Sequence, residues 1–350
     1  MKDVFDKHGH SDDIERLRNE ALATFDDFPD PFSTLTTTFM QDKTIKELFS
    51  PVEPDEVVIS QRLCRVKRGS TRVLKLKSKV FFYVPLIKSL EQLLSNPRIH
   101  SMASTPRENC SKDGFLYDIV DGSLFKSHPL FSVKPSALQL ILYSDEIELC
   151  NPLGPHTSVN KLLMFYYTLG NIDPKFRSKL AAIQLLAIAK AKDITQAGVD
   201  IILEHIEKDL KELYNGVKIG NGETIYGAVI SVCGDTLAQH DLAGFKSGVG
   251  FAFSKCRHCE CDFETMQNNF DEKSFTMRTL ENHMRPCREI ERTRTDYLKN
   301  ALRTTYGINR RSKLIDFPAY DLIQQTPQDI MHVMLEGVGV FKCPWKLNAY

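Results

Sequence analysis

At 350 residues the chain is long enough for two or more compact units. Its 42% hydrophobic and 26% charged residues exclude global disorder and match an ordinary globular protein with a sizeable core. Forty-five basic residues balance 45 acidic ones, so a polyanionic partner would have to be met by local clusters rather than by net charge.

Residues 1–60 read as an acidic, partly disordered segment, with Asp12-Asp13 and Asp26-Asp27 and the breakers Pro29, Pro31, Pro51 and Pro54. Within it, Ser11 is placed to cap a helix over 12–25. Residues 61–135 form a basic and helical region. Arg65 to Lys79 contains seven basic residues and no acid. Leu86, Leu90, Leu93 and Leu94 recur at helical spacing and predict an amphipathic helix ending near Asn96-Pro97. A second basic cluster holds Arg303, Arg310, Arg311 and Lys313. Either cluster serves equally as a phosphate contact or as a solvated charged face.

Residues 136–250 carry alternating strand and helix signals. The run Ala137–Tyr143 predicts a strand that stops at Ser144-Asp145-Glu146, and Lys161–Thr168 predicts a second one. Helices are expected over 178–191 and 195–214, the latter capped by Thr195. A further strand over 225–232 ends at Cys233-Gly234-Asp235. Two strands that end in aspartates, with helices between them, indicate an α/β core holding carboxylates at one sheet edge. Taken singly, each aspartate also suits an ordinary turn.

The nine cysteines come without an apolar leader at the N-terminus, and no apolar run approaches the roughly eighteen residues of a membrane span. A reducing compartment is therefore expected, in which clustered cysteines serve as metal ligands rather than disulfides. Residues 251–320 hold Cys256-Arg257-His258-Cys259 and, downstream, His283 and Cys287. Two pairs of soft donors at these spacings fit a Cys₃His zinc site, with Cys261 and His258 as alternates. Residues 321–350 hold Asp329, His332 and Glu336, spaced by three and four, so that one helix face carries acid, imidazole and acid. That stripe is either a metal or substrate site, or a solvated face backed by Ile330, Val333 and Met334.

Taken in order, the strings YSDEIE, NPLG, GNIDPKFRSKLAAIQLLAIAK, CGDTLAQHDLAGFK, CRHC and QDIMHVMLEGV resemble the animal CACTA/EnSpm-type DDE transposases, over roughly residues 81–339. The resemblance implies an RNase H-like α/β core with a zinc-binding insert. It implies a catalytic triad of Asp145, Asp235 and Glu336 holding two Mg²⁺ or Mn²⁺ ions, and a zinc insert that includes the CxxC, here Cys256 and Cys259, with the rest of the shell drawn from His283, Cys287 and His332. Asp329 and His332 match the family's Asp-x-x-His signature and join the candidate metal ligands. DNA cleavage and strand transfer, transposon-end and target DNA as partners, a homo-oligomer, no membrane and a nuclear location are implied as well.

The sequence departs from that pattern in three places. The chain runs only fourteen residues past Glu336, so a truncated core is expected. Asn160-Lys161 stands where relatives carry His-Lys, and the acidic opening lacks a complete DNA-binding module. These departures keep open a domesticated, non-catalytic, zinc-stabilised DNA- or protein-binding role. A zinc hydrolase using Asp329, His332 and Glu336 is a third reading, set back by the absence of HExxH spacing.

Overall fold

The structure is a computed structural model that describes residues 35–69, 71–106, 114–148, 161–220, 222–247, 250, 252–269 and 271–338. It divides into two units, Met1–Pro51 and Val52–Tyr350. In the first, helix α1 (Thr38–Phe49) starts where the Thr37 side chain accepts the Met40 N–H and stops at Ser50 in a left-handed conformation. The helix expected over 12–25 lies outside the described residues. Within the segment 1–60, residues 38–49 form this helix and, in the second unit, a strand begins at Asp55; residues 1–34 lie outside the described residues.

The second unit is built on a six-stranded mixed sheet of order β1-β2-β5-β4-β3-β8. Its strands are β1 (Asp55–Arg68), β2 (Thr71–Tyr83), β3 (Leu138–Glu148), β4 (Lys161–Leu169), β5 (Gln184–Lys190) and β8 (Gly227–Gly234). The short strands β6 (Val217–Lys218) and β7 (Thr224–Ile225) pair separately. Strands β3, β4 and β5 form an antiparallel meander, and β8 adds parallel to β3. Among the described residues no helix is long and apolar enough to cross a membrane.

Helix α2 (Leu86–Leu94) buries all four predicted leucines. Helices α3 (Ala191–Ala197) and α4 (Asp200–Asn215) follow β5. In α4, Ile202, Leu203, Ile206, Leu210 and Leu213 recur at three and four and are buried. They join one cluster with Leu140, Leu142, Phe165, Tyr167 and Leu186 of the sheet. Each such side chain contributes about 1.5–3 kcal/mol on burial, so this face dominates the unit's stability. A smaller cluster forms around Phe125, Phe131, Ala228 and Ile230. In β8, Ala228 and Ile230 serve the smaller cluster and Val229 and Val232 the larger, the spacing of three allowed by the register shift between Val229 and Ser231.

Two expected helices are corrected. Residues 184–190 form β5 rather than helix, because the apolar run Leu185–Ala189 is paired on both sides, to β2 and β4. A short, continuous apolar run of this length cannot be told from a buried helix segment by periodicity. Thr195 caps nothing; it sits inside α3 and donates to the Ala191 carbonyl. The break between α3 and α4 falls at Gly198, at φ 89°. The basic stretch at 65–79 belongs to the β1–β2 hairpin.

Helices α5 (Thr236–Leu242), α6 (Leu280–Arg292) and α7 (Asp296–Tyr306) complete the elements used below. Gly307 ends α7 at φ 67°, and a Cβ there would lie 2.0 Å from the Ser254 carbonyl oxygen. Backbone cannot yield as a side chain does. Gly307→Ala is expected to cost roughly 3 kcal/mol or more, read as a lower urea midpoint at unchanged slope. A loss under about 1 kcal/mol would show that Ser254 moves freely.

Candidate functional site

The parallel register of β3 and β8 ends at Ser144 opposite Gly234. The next residue on each chain is an aspartate, Asp145 and Asp235. Adjacent strands are about 4.8 Å apart, so these neighbours emerge side by side. Asp145 is not at the end of its strand, as expected from the sequence; β3 runs on to Glu148 because β4 continues to pair with it there. Asp235 is the N-cap of α5, its Oδ1 accepting the Ala238 N–H at 2.6 Å.

Both aspartates line a cavity of about 510 Å³ whose walls include Glu146, Lys161, Thr195 and Asp241. Lys161 Nζ stands 4.0 Å from Glu146, at the margin of an ion pair. Asp241 is raised in pKa by burial, while Arg310 at 3.8 Å counteracts the rise. Asp329 is not among the walls of this cavity and joins the group at Tyr143. The Tyr143 phenol is pushed up first by burial, then by the charges of Asp145, Asp235 and Asp329. Three carboxylates on three separate segments therefore act on a single side chain.

The path of the chain explains how Asp329 arrives. Gln325 runs beside β8: its carbonyl accepts the Val232 N–H at 2.9 Å and its amide donates to the Val229 carbonyl at 2.8 Å. The chain then continues to Asp329, which acts electrostatically on Tyr143 of β3 and on Cys233 of β8. Burial opposes ionisation of Asp329, but hydrogen bonds from His332 and from backbone N–H groups hold its carboxyl below the ordinary pKa. His332 Nδ1 bonds Asp329 Oδ2 directly. Glu336 falls in the wide, π-type helix Met331–Val338, and its side chain lies outside the described residues.

The cysteine segment supplies two groups of soft donors. Cys259 Sγ is 3.0 Å from Cys261 Sγ, and Cys256 interacts with Cys259 as well. On α6, His283 Nε2 is 3.6 Å from Cys287 Sγ; both residues are buried and the His283 Nδ1 has no hydrogen-bond partner. Burial raises the Cys256 and Cys259 thiols. With Arg278 nearby, burial also pulls His283 down to about 4, so the imidazole is neutral. Arg278 donates from Nε to the Cys256 and Cys259 carbonyls and stands within electrostatic reach of His283 and Cys287. Among the described residues, no three His, Cys, Asp or Glu side chains stand together as a complete metal shell.

A residue read only as filler between two cysteines proves central. Arg257 is 3% exposed. It donates to the Thr326 carbonyl at 3.1 Å, the Pro327 carbonyl at 3.3 Å, Gln328 Oε1 at 3.3 Å and Gln239 Oε1 at 2.5 Å. Gln239 lies on α5, the helix that Asp235 caps. Arg257 thus ties the cysteine knuckle to the two segments that carry Asp235 and Asp329. No sequence signal separates such an arginine from a solvated one, since its acceptors lie up to 71 residues away.

Compared with known proteins, the chain matches no protein-family model and none of the curated proteins searched.

Proposed function

We propose that the second unit is an RNase H-like core of the DDE transposase type, resembling the CACTA/EnSpm transposases, and that it cuts DNA. The observation that carries this reading is the pair Asp145 and Asp235, one step beyond the last paired residues of two adjacent parallel strands. A three-stranded meander with a fourth strand added parallel to its first is the topology this reading requires. Asp145 and Asp235 would hold Mg²⁺ or Mn²⁺ together with a third acid, Asp329 or Glu336. Such hard cations prefer charged oxygen donors, and two of them bound together supply an activated nucleophile and a stabilised leaving oxygen. The His332 bond orients Asp329 and favours its ionised form. Lys161, on the wall beside Glu146, places a positive charge where a phosphate would enter.

The donor chemistry of the insert fits zinc. Cys256, Cys259 and Cys261 offer thiolates, and His283, neutral and with an unpartnered ring nitrogen, pairs with Cys287. Zinc there would stabilise the fold rather than react. Purified chain is expected to carry about one zinc per molecule by elemental analysis, lost in Cys256→Ser and in Cys287→Ser. Full zinc content in both variants would remove these residues from the shell.

The test of function is Mg²⁺- or Mn²⁺-dependent cleavage of supercoiled plasmid by wild-type protein beside Asp145→Asn and Asp235→Asn. Cleavage by wild type alone supports the nuclease. An inert wild-type protein that is folded and zinc-loaded would make the chain a non-catalytic binding protein built on the same frame. A nuclear location follows from the DNA partner and belongs to the same proposal.

A further inference from the structure

We propose that the β1–β2 hairpin is an arm that grips duplex DNA beside the acidic edge, a reading that deepens the proposed DNA partner but rests on separate residues. The base of the hairpin is core, with Phe81 and Tyr83 buried and Phe81 paired to Ala189 of β5. Beyond that base, pairs from Ser60–Lys79 to Arg68–Thr71 continue with no further strand beside them among the described residues. Nine such pairs at about 3.4 Å per step span roughly 27 Å.

The direction of the arm follows from the register. Asp145 pairs with Met164, Met164 with Ile188 and Ile188 with Phe82, so Asp145 and Phe82 stand in one row across the sheet. Three strand steps place them roughly 15 Å apart. Strand β1 runs in the same direction as β3, because each neighbour between them is antiparallel. The arm therefore leaves the sheet past the edge at which Asp145 and Asp235 lie.

Its charge is of one sign, on both faces. From Gln61 to Lys79 the sequence holds eight basic residues and no acidic one. Arg62 faces Lys77 across the strands, and Lys67 faces Arg72. Like charges directly opposite are unfavourable, and the repulsion is relieved when an anion lies over them. Lys79 at the base is held by Asp193 of α3 at 2.8 Å. Arg62, Lys75 and Lys77 make no ion pair among the described residues.

A two-stranded ribbon fits the major groove of B-form DNA, which is about 12 Å wide. The deep, narrow major groove of A-form RNA does not admit it. The occupant is therefore duplex DNA, held through its phosphates without a demand for sequence.

The experiment measures binding of the full chain to a labelled mixed-sequence DNA duplex of about two helical turns by fluorescence anisotropy. It is run without added Mg²⁺ or Mn²⁺, so that the structural zinc stays in place, across a salt series, beside the triple variant Arg62→Gln, Lys75→Gln, Lys77→Gln. Three lost phosphate contacts should lower the slope of log affinity against log salt by about 2–3 and weaken binding at least tenfold near ~0.1 M salt. An RNA duplex of equal length should bind at least about tenfold more weakly than the DNA. Wild-type slope and affinity in the folded triple variant would overturn the proposal, as would equal binding of RNA. Leaving out Mg²⁺ and Mn²⁺ prevents cleavage, so the measurement reads binding alone. An arm that binds in a protein that never cuts would overturn the nuclease and leave the arm standing.

Discussion

Replacing Asp145 or Asp235 by asparagine is expected to lower divalent-dependent DNA cleavage by about 10³-fold each, some 4 kcal/mol of transition-state stabilisation. The isosteric change removes one negative charge from the shared edge and little else. For Asp235 the choice of asparagine decides the interpretation, because the carboxylate also caps α5 through the Ala238 N–H. Asparagine caps a helix as well as aspartate does, so a lost rate with an unchanged melting temperature isolates the charge from the cap. Asp241→Asn is the control. It lines the same cavity but faces Arg310 at 3.8 Å, and it should leave the rate within about twofold. Comparing Asp329→Asn with Glu336→Gln then identifies the third acid as the variant with the larger loss. Retention of cleavage in Asp145→Asn or Asp235→Asn would sink the metal-ion reading of this edge.

Arg257→Met is expected to destabilise the second unit by about 2–4 kcal/mol. Two effects oppose each other. Burial without a carboxylate partner makes the guanidinium costly, and pulls its pKa down to about 10. Against this, the arginine satisfies the Thr326 and Pro327 carbonyls and the side-chain oxygens of Gln239 and Gln328. Methionine fills similar volume but leaves those acceptors without donors at a site that excludes water, so the loss outweighs the relief. Lysine, with a compact ammonium rather than a planar fork, should recover only part of it. Urea denaturation gives the magnitude. Cleavage by the folded fraction of Arg257→Lys should fall as well, since the same bonds hold the segment leading to Asp329. A variant as stable as wild type would show that these acceptors find water and that Arg257 is no strut.

The sequence by itself determined the parts whose information is local. The leucine spacing at 86–94 marked a helix, and the strands over 138–148, 161–169 and 227–234 were legible as β-type runs, although the exact end of β3 was not. Aspartates at the ends of two such runs marked one sheet edge, and the paired cysteines marked the insert. The strand over 184–190 was not legible, because its short continuous apolar run lacks the alternation that distinguishes a strand from a buried helix. The basic stretch 65–79 gave no sign of being a ribbon until the pairing of 71–79 with 60–68 was known. Only the tertiary structure decided that Asp145 and Asp235 are neighbours, 90 positions apart in the chain, because the register of a parallel pair is set by burial of alternate residues on the whole sheet. It alone placed Asp329 within electrostatic reach of Tyr143 and Cys233, through Gln325 beside β8 and Arg257 bonded to the segment that follows.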